Sequence, residues 1–419
     1  MEPDALIREY LLLGLRFDRV EEGYVDSFTG DPALRRVVES EPAPEPADLA
    51  RQADRLLAAL PAVPRTNGFT DVRADYIGAH LRALACAGRK FAGRPVGFVD
   101  EVEAYFDVHI AKGDPERYRQ AHARLDEALG GTGPLADRMA AYRSAEEIPP
   151  ERLAECIEAF SSALRDRVRA EYPLPDTETV VYEVVTDKPW SGFNYYVGNY
   201  RSTVAVNADL KQQMSNLPRL VAHESYPGHH TEHCRKEAGL VVRGGQTEQT
   251  IFLVNTPQCL MAEGLADLAL YAAIGPRWGG WAGEIYADLG LRFDGQRAEA
   301  VSEAAAALAD VRQDAALILH DEHRDVDDVA EFLRRWLLVD DARARQMLRF
   351  LSSPLWRAYT STYVEGYRLL RGWLDAPPQA GGGTSRLRGS APRSADVSLT
   401  ERFGRLLDEP LIPSALRAG

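Results

Sequence analysis

The stretch VAHESYPGHHTEHC, residues 221–234, places a helix breaker inside a run of histidines. His223 and Glu224 come just before Pro227 and Gly228. Proline has no backbone N–H to donate, and its ring crowds the carbonyl group four residues earlier, which here belongs to His223. A straight helix through this segment is therefore not expected. The sequence predicts a helix that is kinked or interrupted at the Pro-Gly pair.

The residue types around this break are similar to those that open a zinc-hydrolase helix, and the alternative is a histidine-rich loop without chemistry. Zinc in such proteins has three nitrogen or oxygen ligands and an open position for water. In a continuous His-Glu-x-x-His helix, two histidines one turn apart supply two of those ligands. Here Pro227 occupies the position four after His223, so the second ligand depends on the bend. Omitting the two residues of the break selects His229, with His230 as a close rival, and His229 with His233 forms a further candidate pair.

A third ligand is expected from another helix, and the segment AEGLAD offers one. Glu263 and Asp267 are four residues apart, so they share a helix face. A glutamate at the first position can bind a metal, while an aspartate one turn later can orient a ligating histidine. This spacing occurs in the glutamate-zincin class of metallopeptidases.

Composition limits the class of protein. The 419 residues carry a formal net charge of −14, which argues against a general nucleic-acid or anionic-membrane binder, since both need clustered Lys and Arg. The sequence contains no apolar run of membrane-spanning length, and its N-terminus lacks the pattern of a secretory signal. The four cysteines are scattered without a CxxC pair. Together these features predict a cytoplasmic protein with reduced thiols.

The pattern along the chain predicts a mainly α fold with a small β-sheet next to the active-site helix. Up to about residue 172 the apolar residues recur at helical spacing. TVVYEVV and STVAVNA form the convincing strand region, and helices resume at NLPRLVAHES. The expected regions are an N-terminal helical region at 1–175, a metallohydrolase core at 176–375, a flexible loop at 376–397, and a C-terminal helix and tail at 398–419, beginning with a capping box at SLTE.

HESYPGHH and the downstream EGLADLAL together resemble the DUF885 family, bacterial proteins with an HExxPGHH segment and a later EGWA-type helix. The likeness extends to RQDAALILH, which ends at His320, and to SSPLWRAYTSTYVEG, which places Tyr363 and Gly366. It also includes the terminal FGRLLDEPLIPSALRAG. The resemblance covers roughly residues 176–419 and implies a large, helical, gluzincin-type metallopeptidase fold.

The resemblance also implies a metal site. One zinc ion per chain would be held by His223, by His229 or His230, and by Glu263. Asp267 would not bind the metal but would orient a metal-ligating histidine. A peptide or a small amide is the implied substrate, and no nucleic acid or membrane is implied as a partner.

The remaining roles concern the chemistry. Glu224 would act as the general base that deprotonates water. Tyr363 and His320 are the candidates for stabilising negative charge on the substrate carbonyl. The strand STVAVNA is expected to present an edge to an extended peptide, with the aromatic FNYYVGNY lining the subsites.

Two other functions fit the same sequence. One is a metal-dependent enzyme that acts on a small non-peptide metabolite. The other is a non-catalytic protein that binds a peptide or a partner on the same fold. The sequence leaves open the choice between these functions, between internal and terminal cleavage, and between oligomeric states.

Overall fold

A computed structural model describes residues 1–66, 68–187, 190–376 and 398–417. The chain is mainly helical, with 66% of residues in helices and 8% in strands. The prediction of a mainly α fold with a small sheet is confirmed.

The helices before the sheet are α1 (Pro3–Asp18), α2 (Pro32–Ser40), α3 (Pro46–Ala59), α4 (Asp71–Phe91), α5 (Phe98–Phe106), α6 (Pro115–Leu129), α7 (Leu135–Ala145) and α8 (Leu153–Glu171). Those after it are α9 (Leu217–Glu224), α10 (His229–Lys236), α11 (Pro257–Ile274), α12 (Trp278–Asp288), α13 (Gly295–Ala305), α14 (Asp310–His320), α15 (Val326–Leu337), α16 (Asp341–Ser352), α17 (Tyr367–Asp375), α18 (Leu399–Asp408) and α19 (Pro413–Arg417). Several begin at a proline, whose missing N–H costs nothing in the first turn of a helix.

The described strands are β1 (Val25–Phe28), β2 (Thr179–Val185), β3 (Gly192–Gly198), β4 (Arg201–Asn207) and β5 (Ile251–Leu253). Three of them form a sheet in the order β2-β4-β3, in which β4 runs parallel to β2 and antiparallel to β3. The expectation that STVAVNA presents an edge is wrong, because this segment is the central strand β4. The edge strand that contacts α9 and α10 is β3.

A second, two-stranded sheet pairs β1 with β5 in antiparallel fashion. Helices were expected throughout the N-terminal region, and this expectation is wrong at Val25–Phe28. A four-residue strand is too short to show alternation, and its partner lies more than 200 residues away in the sequence. The pairing brings part of the N-terminal region next to β3.

The predicted capping box at Ser398 is confirmed. Its side chain accepts a hydrogen bond from the backbone N–H of Glu401, and the Glu401 carboxylate accepts one from the backbone N–H of Ser398. The loop predicted at 376–397 lies outside the described residues except for its first residue, Ala376.

One cluster of buried apolar side chains runs from Leu6 to Leu416, so the regions on both sides of residue 175 contribute to the same core. Helix α11 lies inside it and is buried on nearly all sides. A helix that is apolar all round belongs in a protein interior. Two acids on such a helix, Glu263 and Asp267, therefore require a specific reason to be there.

A π-helical turn, Thr362–Gly366, packs directly on α11. Gly264 and Gly366 meet backbone to backbone at this contact. A Cβ added to Gly366 would lie 2.5 Å from the carbonyl oxygen of Leu260 and 3.1 Å from the Cα of Gly264. The two glycines thus set the separation between Glu263 on one element and Tyr363 on the other.

No single described helix is both long and apolar enough to cross a membrane. α11 and α12 together meet the same test of length and composition, but they bend by 76° at the break between them.

We expect Gly366→Ala to lower the free energy of unfolding by about 1–3 kcal/mol, because the added methyl group forces two backbones apart. Gly372→Ala is the matched control, since its Cβ on α17 would meet no atom within 4 Å. The control should instead gain about 0.5–1 kcal/mol from the higher helix propensity of alanine. Urea unfolding followed by circular dichroism measures both, and equal stability of the two variants would refute the contact.

Candidate metal centre

The predicted break in the histidine segment is confirmed. α9 ends at Glu224 and α10 begins at His229, with a cis peptide bond between Tyr226 and Pro227. Gly228 packs against the end of α9, where its N–H donates to the carbonyl oxygen of Ala222 at 2.9 Å. A Cβ at this position would overlap the carbonyl oxygen of the residue after Ala222. Only glycine fits here, and the tight return carries α10 back towards α9.

This return brings two imidazoles together. The rings of His223 and His229 lie 4.7 Å apart between centroids and are nearly perpendicular, at 87°. Both point an Nε2 atom at the carboxylate of Glu263 on α11, with separations of 3.4 Å from His223 to Oε2 and 3.5 Å from His229 to Oε1. Glu224 completes the group, because candidate ligand atoms of His223, Glu224 and His229 all lie within 4.8 Å of one another.

The donor set fits a zinc ion. Zinc–nitrogen and zinc–oxygen bonds of 2.0–2.2 Å at tetrahedral angles place neighbouring ligand atoms about 3.4 Å apart, which is close to the separations found between Glu263 and the two histidines. Oε2 of Glu263 is also buried without a hydrogen-bond partner among the described residues. Such an atom is costly unless a cation or a proton neutralises it. His223, His229 and Glu263 are therefore the residues that could hold the metal.

Asp267 fixes the orientation of the first histidine, as the sequence predicted. Its Oδ1 lies 3.0 Å from Nδ1 of His223. A carboxylate only accepts hydrogen bonds, so Nδ1 carries the proton and Nε2 is turned towards Glu263. Burial acts to lower the pKa of His223, but its contacts with Asp267 and Glu263 outweigh burial and raise it. For Glu263 burial acts to raise the pKa, and the contacts with the two imidazoles lower it.

Glu224 has a different environment from Glu263. Its side chain is buried, and burial raises its pKa. Asn194 of β3 donates a hydrogen bond to its backbone carbonyl at 2.6 Å, and Gly192 leaves room for its carboxylate, since a Cβ there would lie 3.1 Å from Oε1. Within the described residues no hydrogen bond or ion pair engages the carboxylate itself. That carboxylate is available to a water molecule.

Two tyrosines line the other side of the cluster, and the sequence singled out one of them. Tyr363 is half-buried, and its pKa is raised by burial together with the charges of Glu263, Asp267 and Glu224. Tyr359 was missed, although its hydroxyl donates to Oε1 of Glu263 at 2.6 Å. The two rings lie 5.6 Å apart. Tyr359 lies in the turn just before the helical segment that carries Tyr363, so helical spacing did not single it out.

Asp26 is a further acid that the sequence did not indicate. It lies half-buried on β1, and burial raises its pKa to about 7. Glu263 and Glu224 are close enough to raise that pKa further, while His229 opposes them. Only the long-range pairing of β1 with β5 places Asp26 here, so no local pattern could have revealed it.

His230 does not join the cluster. It follows His229 directly on α10, and successive residues of an α-helix point about 100° apart. Its side chain is fully buried, with Nε2 donating to Glu178 at 2.9 Å and Nδ1 lying 2.8 Å from the hydroxyl of Ser202. Glu178 also accepts a hydrogen bond from Tyr226 at 2.7 Å. Both ring nitrogens of His230 are thus occupied, and the structure favours His229 as the second ligand.

His320 and His233 also lie outside the cluster. Nε2 of His320 donates to the carbonyl oxygen of Leu351 at 2.7 Å, and its ring lies 5.1 Å from that of Phe98. These contacts do not support the expectation that His320 contacts the substrate carbonyl, because its Nε2 is already engaged by a backbone carbonyl oxygen. His233 stacks on Tyr196 with centroids 4.5 Å apart, so it serves packing.

No protein-family model matches the chain, and no curated protein matches it. Among solved structures it is similar to a candidate lipoprotein from Colwellia psychrerythraea, with 12% sequence identity and a TM-score of 0.50 over 88% of this chain and 65% of that one. A candidate lipoprotein of unknown function from Shewanella oneidensis gives 14% identity and a TM-score of 0.43 over 78% of this chain and 66% of that one. The chain thus spans just under two thirds of the Colwellia protein. At this identity the first likeness shows a shared fold alone.

We expect Glu178→Ala to lower the free energy of unfolding by about 3–5 kcal/mol, because it removes one partner from a buried charged network. The substitution leaves His230 and Tyr226 without their acceptor and Arg165 without its ion pair. Glu183→Ala is the control, since this residue is exposed on β2. Chemical unfolding of both variants measures the difference. A loss below 1 kcal/mol for Glu178→Ala would mean that this network does not hold the histidine segment in place.

Proposed function

We propose that this protein is a zinc-dependent hydrolase of peptide or amide bonds, related in architecture to the glutamate-zincin metallopeptidases. One observation carries the proposal. The Nε2 atoms of His223 and His229 converge on the carboxylate of Glu263 at 3.4 and 3.5 Å, with the unengaged carboxylate of Glu224 next to them. The DUF885 resemblance of the histidine segment supports the same class.

Each residue of the proposed site has its own chemical role. A zinc ion bound at this site supplies Lewis-acid activation, lowering the pKa of a water molecule and polarising the substrate carbonyl. Glu224 accepts the proton from the attacking water and passes it to the leaving amine, since its carboxylate is next to the histidines but engaged by no other described residue. Asp267 keeps His223 in one tautomer throughout.

Tyr363 is the residue we propose for the developing negative charge on the carbonyl oxygen. It is close enough to Glu263 and Glu224 for their charges to raise its pKa, and it is only half-buried. A phenolic O–H that donates to the oxyanion stabilises the transition state more than the ground state. The hydroxyl of Tyr359 already donates a hydrogen bond to Glu263. We therefore assign Tyr359 to positioning this proposed metal ligand and Tyr363 to the oxyanion.

The position of β3 favours a peptide over a compact metabolite. Its first half lies beside Glu224, through Gly192 and Asn194. β3 is also an edge strand of its sheet, and Tyr195 and Val197 expose 42% and 56% of their surface. An extended peptide can align with such a strand through backbone hydrogen bonds. We therefore assign peptide alignment, which the sequence predicted for STVAVNA, to the strand β3 with the sequence GFNYYVG.

A cytoplasmic location remains part of the proposal. All four cysteines are unpaired and buried, which agrees with a reducing compartment.

The test compares the zinc-loaded protein with Glu224→Gln on a set of synthetic peptides and acylated amino acids, with amine release followed by mass spectrometry. We expect Glu224→Gln to keep its zinc and to lose about 10²- to 10⁴-fold in kcat, the contribution typical of a general base. A chelator should abolish wild-type activity, and added zinc should restore it. Glu284→Gln, at an exposed position on α12, is the control and should behave as wild type.

Three results would contradict the proposal. If the protein holds no stoichiometric zinc under replete conditions, a peptide-binding protein on the same fold is the better description. Full activity in Glu224→Gln would remove the general base from the mechanism. Turnover limited to esters or other non-amide metabolites would replace the substrate class.

A further inference from the structure

The two carboxylate oxygens of Glu263 have different surroundings. Oε1 accepts a hydrogen bond from the hydroxyl of Tyr359 at 2.6 Å. Oε2 is buried and has no hydrogen-bond partner among the described residues. A buried carboxylate oxygen without a partner is unfavourable unless a cation or a proton neutralises it. The need for a cation therefore falls on Oε2, whereas the tyrosine already satisfies part of the hydrogen-bonding capacity of Oε1.

The histidine nearest to Oε2 places the same requirement on this oxygen. Asp267 lies 3.0 Å from Nδ1 of His223, so a neutral imidazole keeps its proton on Nδ1. Its Nε2 then presents a lone pair to Oε2 of Glu263 at a distance of 3.4 Å. Two electron-rich atoms that face each other in a protein interior repel unless they share a cation. His223 and Oε2 are thus prepared to bind one ion together.

The chain just before Tyr359 is held in place independently of the metal centre. Lys90 of α4 and Asn255 donate hydrogen bonds to backbone carbonyl oxygens of the segment 353–358, at 2.6 and 2.8 Å. The arginine two residues before the tyrosine donates to the carboxylate of Glu101 on α5 at 2.8 Å, and this glutamate is fully buried. Three anchors from separate elements therefore fix the position from which Tyr359 reaches the metal centre.

The way in which a glutamate binds zinc decides how many coordination positions remain. A catalytic zinc site has three protein ligands and a water molecule, and it accepts a fifth ligand in the transition state. If both oxygens of Glu263 were bound, the second one would take the position that the substrate carbonyl oxygen needs. A hydrogen bond to Oε1 withdraws charge from that oxygen and makes it a weaker ligand, so binding through Oε2 alone is favoured.

We propose that Tyr359 is a positioning residue that restricts Glu263 to binding zinc through Oε2 alone and so keeps one coordination position free for the substrate carbonyl. This inference rests on the proposed function, because the carbonyl belongs to the amide bond that the metal centre would cleave. The two tyrosines then act on different partners. Tyr359 acts on the metal ligand, and Tyr363 acts on the substrate oxygen.

The experiment compares wild type with Tyr359→Phe, each loaded with zinc or with cobalt. The phenylalanine ring keeps the contacts with Trp356 and Tyr363, whose centroids lie 5.1 and 5.6 Å away, and loses only the hydroxyl. We expect X-ray absorption to show that the zinc coordination number rises from about four to about five. The visible bands of the cobalt protein should weaken for the same reason. The value of kcat should fall about 10- to 100-fold while zinc is retained.

Two further variants serve as controls. Tyr363→Phe removes the hydroxyl of the neighbouring tyrosine, so it should lower kcat but leave the coordination number at about four. Tyr367→Phe removes a hydroxyl from a side chain that is exposed on α17, and it should behave as wild type in every measurement. Chemical unfolding of all the variants shows whether any of them alters the stability of the fold.

The spectroscopic measurements need no turnover, so the inference and the proposed function can fail separately. If the protein cleaves no amide but the coordination number still rises in Tyr359→Phe, the proposed function fails and the role of Tyr359 stands. If amides are cleaved and Tyr359→Phe keeps the wild-type coordination number, the inference is overturned. A loss of stability without a rise in coordination number would assign Tyr359 to packing and would also overturn it, as would a wild-type site in which both oxygens of Glu263 bind the ion.

Discussion

The approach of Glu263 to two imidazoles is the interaction on which the rest of the site depends. The carboxylate lies in the interior on α11, where an unneutralised charge is costly, and His223 and His229 reach it from two separate helices. They can do so because Gly228 allows α10 to return against the end of α9. The sequence of the break is therefore part of the site itself.

Two neighbouring histidines on α10 take opposite roles. His229 faces the cluster, while His230 holds the segment to Glu178 and Ser202 on the far side. This division gives the histidine segment one face for chemistry and one for attachment. On the other side of the site, the Gly264–Gly366 contact provides the attachment. It holds the π-helical turn that carries Tyr363 against α11.

Local patterns in the sequence predicted the parts of the site that depend on local geometry. The Pro-Gly break, the shared face of Glu263 and Asp267, and the capping box at Ser398 all follow from spacing within one or two turns. The choice between His229 and His230 depended on the exact path of the chain through the break, which spacing does not define.

The errors arose where distant segments meet. β4 became the central strand because β2 and β3 pair on its two sides, and Asp26 reaches the site through a strand pairing across more than 200 residues. His320 matched a motif but lies at the end of a helix whose direction depends on tertiary packing.

The coordination shell of the zinc-loaded protein tests the central claim most directly. A crystal structure measured at the zinc absorption edge should show one ion bound by Nε2 of His223, Nε2 of His229 and the carboxylate of Glu263, with bond lengths of about 2.0–2.2 Å and Glu224 outside the first shell. An anomalous peak elsewhere in the molecule, a ligand set that includes His230, or a shell without Glu263 would contradict the account.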